Sequence, residues 1–396
     1  FLASLFFKSS EKADRNVLEF GTVFANWSYL GYPILAALFG EIGYFYGACF
    51  TLFFNVYIRL YGVILLGRGK EGSHPLRDAL LNPGTMDPDA ATRYALEMIA
   101  GVNDAVEASS DIAALANTPE EAFRNKDNGK ISIFLGMENG LPVQGSLALL
   151  RQFYRMGVRY LTLTHNTDNQ ICDSAAQGQR WGGLSPFGRE VVAEMNRLGM
   201  IIDLAHASDK TFYDCIKYSK APVVSTHSCC RALAKHRRNM TDDMIKCIAE
   251  AGGVIQINFY PLFLSDEFAD TLEHSGLDPI ADEIEARFIK DPASEANRRD
   301  WIEIQQKLAE LKRPSYKRII DHIDHAVSIA GVDHVGIGSD FDGINVTPEG
   351  LEDVSKMPVL FEEMRKRGYS ESDIEKIAGL NFLRVMKTVE SLAERK

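Results

Sequence analysis

The chain has 396 residues, 46% of them hydrophobic and 24% charged, with a net charge of -11. That length suits one large barrel or two to three ordinary domains, and the acidity argues against a nucleic-acid partner, which wants a basic face. The six cysteines (Cys49, Cys172, Cys215, Cys229, Cys230 and Cys247) form no Cys-x-x-Cys pair and no framework spacing, so they read as buried or reduced thiols rather than disulfide staples.

The sequence has no initiator methionine and no charged-then-apolar leader, so its first residues read as the middle of something. From Val17 to Leu66 the only charged residues are Glu19, Glu41 and Arg59. Two apolar stretches within residues 17–67 are each long enough to cross roughly 30 Å of hydrocarbon as helices, with Gly31 and Pro33 breaking the first. The alternative is a buried helical hairpin of a soluble protein, which Arg59 favours because charge is costly at membrane depth. Basic residues flank both ends (Lys8, Lys12, Arg15, then Arg68, Lys70, Arg77). The positive-inside rule therefore predicts a membrane location through residues 17–67, with the following domain cytoplasmic.

The run FGTVFANWSYLGYPILAALFGEIGYFYGACFTLFFNVYIRLYGVILL with LRDALLNPG resembles an internal piece of the auxin efflux carrier family. The NWSYLGYP and LLNPG features carry the likeness, over residues 1–84. So short a piece encloses no transport path, which needs helices from both halves of a longer chain.

From Met86 the text becomes that of a soluble α/β protein. Residues 88–107 read as an amphipathic helix opened by a proline. Strands and helices then alternate: ISIFLGM, helix, VRYLTLTH, helix, MIIDLAH, helix, APVVSTH, helix, GVIQINFY, a charged helical insertion at 281–312, a helix over 315–331, HVGIGSD and terminal helices. Between His206 and His227, Ser208 is placed to cap a helix. Six strands rich in β-branched and aliphatic residues, alternating with helices, predict a parallel sheet buried on both faces and, at this size, a (β/α) barrel.

In such a fold chemistry sits at the carboxyl ends of the strands. Those ends present Glu138 in GMENG, His165 in LTLTHN, His206 in DLAH, His227 in STHS, Tyr260 in INFY and Asp340 in GSDFDG. A carboxylate with two imidazoles suits zinc, and a further histidine and aspartate suit metal-assisted hydrolysis. Each residue alone has an ordinary reading: Glu138 as a helix-start carboxylate, Asp340 with Asp342 as turn caps, His165 bonded to its own loop. Their joint placement at one end of the sheet argues against that. His74, His236, His274, His322, His325 and His334 are expected in ordinary roles.

The series GMENG, LTLTHNTDN, IIDLAHASD, VVSTHSCCRAL, RRNMTDD, GVIQINFYP and DHVGIGSDFDG, over residues 88–396, closely resembles the membrane (renal-type) dipeptidase family, zinc enzymes of the metal-dependent hydrolase barrel superfamily. The resemblance implies Glu138 as a carboxylate bridging two zinc ions, with His206 and His227 completing the second. It implies His165 as the binder of the oxyanion, Arg238 as the partner of the substrate's terminal carboxylate, Tyr260 among the substrate contacts, and Asp340 as the acid/base. It also implies a dipeptide substrate and, since family members commonly pair, a homodimer.

One departure stands out. The family's first strand supplies a His-x-Asp pair to the other metal, and here the only such pair is His322 with Asp324, in the helix before HVGIGSD. The fold is thus expected to be an incomplete (β/α)8-type barrel lacking its first two strands, over residues 85–396, behind a hydrophobic hairpin at 1–84. One zinc, or none, is expected where the family holds two. The abrupt change near residue 85 reads as a join of two unrelated reading frames, which sequencing the source DNA across codons 80 to 90 would test. The functional expectation is a zinc-dependent dipeptidase. The alternatives are an inactive dipeptidase-like module with a membrane hairpin and, more distantly, transport.

Overall fold

The computed structural model describes residues 87–291, 294–341 and 343–394. The hairpin expected at 1–84, together with His74, lies outside the described residues. Among the described residues no helix is long and apolar enough to cross a membrane.

Helix α1 (Pro88–Ala108) begins with the expected proline, and the Asp87 side chain accepts a hydrogen bond from the Ala90 amide. It leads to β1 (Ala113–Leu115), α2 (Pro119–Asp127) and β2 (Ile131–Ile133), where β1 and β2 pair in a small parallel sheet. The main sheet follows with strict alternation: β3 (Leu135–Glu138), α3 (Leu147–Arg155), β4 (Val158–Thr162), α4 (Pro186–Leu198), β5 (Ile201–Asp203), α5 (Asp209–Tyr218), β6 (Val224–Ser228), α6 (Asp242–Glu250) and β7 (Val254–Asn258). Ser208 caps α5 as expected, accepting from the Thr211 amide at 3.1 Å. After β7 come α7 (Pro261–Leu264), α8 (Asp266–Ser275), α9 (Asp278–Lys290), α10 (Glu295–Glu310) and α11 (Lys317–Ala330). The chain then enters β8 (Val335–Gly338) and finishes in α12 (Met357–Lys366), α13 (Glu371–Glu375) and α14 (Asn381–Ser391).

All six strands of the main sheet are parallel, in the order β3-β4-β5-β6-β7-β8, so every carboxyl end lies on one rim. Among the described residues the sheet is open, with β3 and β8 at its edges. The core between sheet and helices is aliphatic, with Leu161, Val191, Met195, Ile202, Ile255 and Ile323 fully or almost fully buried. At the amino end of the strands, Val385, Met386 and Val389 of α14 pack against Ile201, Val224 and Val254 and form a floor. The expected charged insertion is the helix pair α9 and α10, which shares a small core with α8 around Leu272, Ala281, Ile304 and Leu308.

The expected strand 131–137 is broken at Phe134. Phe134, Tyr160 and Phe382 each pack against the floor cluster, β2 pairs with β1 instead of joining the main sheet, and the register of β3 on β4 shifts between Leu135 and Gly136. Gly136 lies flat against the Tyr160 ring, where a Cβ would overlap it.

Candidate metal centre and its surroundings

Glu138 is the last residue of β3, and its side chain keeps 46% of its exposure at the bottom of an open bowl. Three imidazoles surround it. His206 Nε2 lies 2.9 Å from Glu138 Oε1, His227 Nε2 3.3 Å and His165 Nε2 3.9 Å from the same oxygen. The His165 and His206 rings lie 4.2 Å apart between centroids, and His206 and His227 5.0 Å. One ligand atom from each of Glu138, His206 and His227 falls within 4.8 Å of the others, and theirs is the only such His/Cys/Asp/Glu group of three or more among the described residues.

Charge follows from this crowding. Burial alone would raise the Glu138 carboxyl, but the His206 and His227 imidazoles beside it outweigh this and hold the group well below the usual carboxylate range. Burial pulls His227 down, and the Glu138 carboxylate more than reverses this, so its pKa is raised. Burial, reinforced by the Arg238 charge, pushes His206 well down, and burial also lowers His165. The atom that bears on metal binding is His227 Nε2, which is buried without a hydrogen-bond partner although it faces a carboxylate oxygen. A cation between these donors would satisfy it, so the residues fit a zinc-type ligand set of one carboxylate and two imidazoles.

The backbone is bent to make this arrangement. His206 has φ 67° and Asp340 φ 58°, both in the left-handed region that non-glycine residues seldom enter. Gly338 on β8 lies so close to β6 that a Cβ would overlap the Thr226 carbonyl and stand 3.1 Å from His227 Cα.

Arg238 sits half-buried in the loop after β6, its guanidinium turned in among the site groups. Its Nη1 donates to His206 Nδ1 at 2.7 Å, while its Nε and Nη2 have no partner. Burial lowers its pKa to about 10. Asp340 Oδ2 accepts from Asn258 Nδ2 at 3.0 Å, and burial raises the Asp340 pKa. Tyr260 sits further out, its ring 5.2 Å from Phe263, and burial followed by the charges of Asp278, Asp282 and Glu285 raises its phenol. The structure thus gathers Glu138, His165, His206, His227 and Arg238 closely, with Asp340 near enough for its charge to act on both His227 and Tyr260.

The His-x-Asp pair of α11 takes no part. His322 is fully buried, with Nδ1 accepting from the Cys230 amide and Nε2 facing the Leu264 carbonyl, both at 3.1 Å. Asp324 accepts from Arg367 and Tyr369. Both imidazole nitrogens are used, as the element's position in the sequence implies.

Several polar residues around the site escaped the sequence. Asn166 Oδ1 lies 3.0 Å from His206 Nδ1, and the Ser174 hydroxyl holds the His165 carbonyl at 2.6 Å. Asp203 and Thr226 lie beneath the histidines, with Thr226 Oγ1 2.8 Å from His227 Nδ1. A charged residue at the end of the apolar run MIID was the available signal for Asp203.

A parallel α/β sheet that gathers a carboxylate and two imidazoles on its carboxyl rim places the chain among folds of the metallopeptidase kind. The chain belongs to the membrane dipeptidase family, peptidase family M19, which matches it over residues 46–396. That span reaches further toward the amino end than the motifs at 88–396 and crosses the join expected near residue 85, so the comparisons place residues 46–84 with the dipeptidase family and give the carrier reading no support. An uncharacterized dipeptidase of Schizosaccharomyces pombe is 41% identical over 276 residues, 69% of this chain and 56% of the relative. The dipeptidase verJ of Clonostachys rogersoniana is 34% identical over 302 residues, 76% of this chain and 66% of the relative. The chain therefore spans little more than half to just under two thirds of these relatives' length. Among solved structures, the probable dipeptidase PvdM of Pseudomonas aeruginosa superimposes with a TM-score of 0.66 at 30% identity, covering 77% of this chain and 81% of that one. A Rhodobacter sphaeroides metallopeptidase bound to a phosphinate mimic of L-Ala-D-Ala gives a TM-score of 0.62 at 27% identity, with 77% and 76% covered.

Proposed function

We propose that this chain is a zinc-dependent dipeptidase, with Glu138, His206 and His227 holding one zinc ion. The observation that carries the reading is the convergence of these three donors within 4.8 Å, with His227 Nε2 left unpaired toward the bowl. Zinc bound there would supply a Lewis acid for the scissile carbonyl and ease the ionisation of a water near neutral pH. The two unpartnered nitrogens of Arg238 offer a fork for the terminal carboxylate of a dipeptide. His165, kept neutral by burial, donates a hydrogen bond to the carbonyl oxygen as it gains charge. Asp340, whose pKa burial raises, takes the proton of the attacking water and passes it to the leaving amine. Tyr260 bounds the substrate from the margin. The phosphinate dipeptide mimic held by the Rhodobacter sphaeroides neighbour supports this substrate class.

A (β/α) barrel is the architecture that the six parallel strands support, and attachment to a membrane through residues 17–67 and pairing into a homodimer are further parts of the proposal. Among the described residues one Glu/His/His cluster supports one metal ion, and the second reading is an inactive module. Purified protein given a panel of dipeptides decides between them. The expected result is about one zinc per chain and release of free amino acids that a chelator abolishes. Protein that binds no zinc and leaves dipeptides intact would establish the inactive module.

A further inference from the structure

Beneath the three imidazoles lies a buried carboxylate that the hydrolytic reading leaves unused. Asp203 closes β5, is fully buried, and receives four hydrogen bonds. Its Oδ1 accepts from the amides of Thr226 at 2.9 Å and Ala205 at 3.0 Å. Its Oδ2 accepts from the hydroxyls of Thr226 at 2.7 Å and Thr162 at 2.5 Å. All four partners are donors, as an ionised carboxylate requires.

The Thr226 hydroxyl has one proton, and the contact with Asp203 uses it. Its oxygen then presents only lone pairs to His227 Nδ1, 2.8 Å away. His227 Nδ1 must therefore carry a ring proton, and in the neutral imidazole Nε2 keeps the lone pair. Nε2 is the atom left without a partner and directed at Glu138. The surroundings of His206 fix nothing comparable. Its Nδ1 meets both Asn166 Oδ1 at 3.0 Å, which calls for a ring proton, and Arg238 Nη1 at 2.7 Å, which calls for a lone pair.

We infer that Asp203 and Thr226 form a relay that sets the His227 tautomer for metal binding, and that both are positioning residues. The inference rests on the reading of His227 as a zinc ligand. The same carboxylate also holds the Ala205 amide, next to the left-handed backbone of His206, so one buried group orients the carriers of both imidazole ligands. Outer partners of this kind typically change metal affinity by about 10–100-fold when removed.

Three variants test the relay. Thr226→Val keeps the shape of the side chain and removes the hydroxyl, whereas Thr226→Ser keeps the hydroxyl. Asp203→Asn with its amide nitrogen toward Thr226 reverses the proton order, since the threonine must then accept from the amide and donate to His227. Zinc affinity is measured by competition with a chromophoric chelator, and ligand geometry by the visible spectrum of the cobalt-substituted protein. The expected results are a loss of about 10–100-fold in Thr226→Val with an altered cobalt spectrum, recovery to within about threefold in Thr226→Ser, and a loss at least as large in Asp203→Asn. Nitrogen NMR of the metal-free wild type, at a pH alkaline enough for the ring to be neutral, reads the tautomer directly and does not depend on zinc binding. A proton on Nδ1 is expected. A proton on Nε2, or wild-type zinc affinity in Thr226→Val, overturns the relay. A wild type that shows the Nδ1 tautomer but binds no zinc overturns instead the reading of His227 as a ligand.

Discussion

Replacing Glu138 with glutamine changes one charge at the centre of the bowl, and the structure sets the size of the effect. Glu138 Oε1 lies 3.3 Å from His227 Nε2. At an effective dielectric constant of about 20 a unit charge pair at that distance interacts by about 5 kcal/mol. Glu138 keeps 46% of its side-chain exposure, so solvent screening reduces this to about 2–3 kcal/mol. The sign then depends on pH. Glu138 raises the His227 pKa above its unfolded value of about 6.5, so this contribution to stability is complete below that value and fades as pH rises through the folded pKa. In Glu138→Gln burial is the largest influence left on His227 and lowers its pKa, so its contribution runs the other way. The carboxylate of Glu138, depressed in the folded state, stays ionised across this range in the wild type. Urea unfolding of metal-free protein should therefore show Glu138→Gln destabilised by about 2–3 kcal/mol near pH 6 and by only about 1 kcal/mol near pH 9, where just the contact with His206 Nε2, 2.9 Å away, is weakened. Equal losses at both pH values, or a larger loss at the higher one, would refute the Glu138–His227 coupling.

Zinc competes with the proton on His227, so zinc affinity should fall about tenfold for each pH unit below the folded His227 pKa, as read by chelator competition. Gly338→Ala forces a Cβ into the Thr226 carbonyl; it should cost about 1–3 kcal/mol in urea unfolding and weaken zinc binding by displacing His227. His322→Ala should destabilise the fold by about 1–3 kcal/mol through the unsatisfied Cys230 amide and Leu264 carbonyl, yet leave zinc stoichiometry unchanged. A change in zinc count in His322→Ala would contradict the assignment of His322 to the core.

The sequence made the strand ends legible because a strand buried on both faces is written as an unbroken β-branched run, and the polar residue that ends it stands out. MIIDLAH and APVVSTH announce His206 and His227 in this way. It could not announce the relay, because Thr226 and Asp203 matter through hydrogen bonds between β5 and β6, and strand pairing is not written in either segment alone. The break at Phe134 was hidden for the same reason: that ring packs on a floor built in part from α14, far along the chain. Helix α2 was missed because it is short and polar, burying only Pro119 and Ala122. Its start was readable in Thr118, three residues before Glu121, whose amide Thr118 caps.

The left-handed backbone at His206 and Asp340 bears on how this protein can change. For a residue with a side chain that conformation costs about 1–2 kcal/mol, and glycine relieves it, offset in part by glycine's greater freedom when unfolded. Glycine at either place would remove the imidazole or the carboxylate that the bend exists to aim. It would also leave Arg238 Nη1 or Asn258 Nδ2 without its acceptor, so the bend and the hydrogen bonds around it hold each other in place and neither can drift without the other.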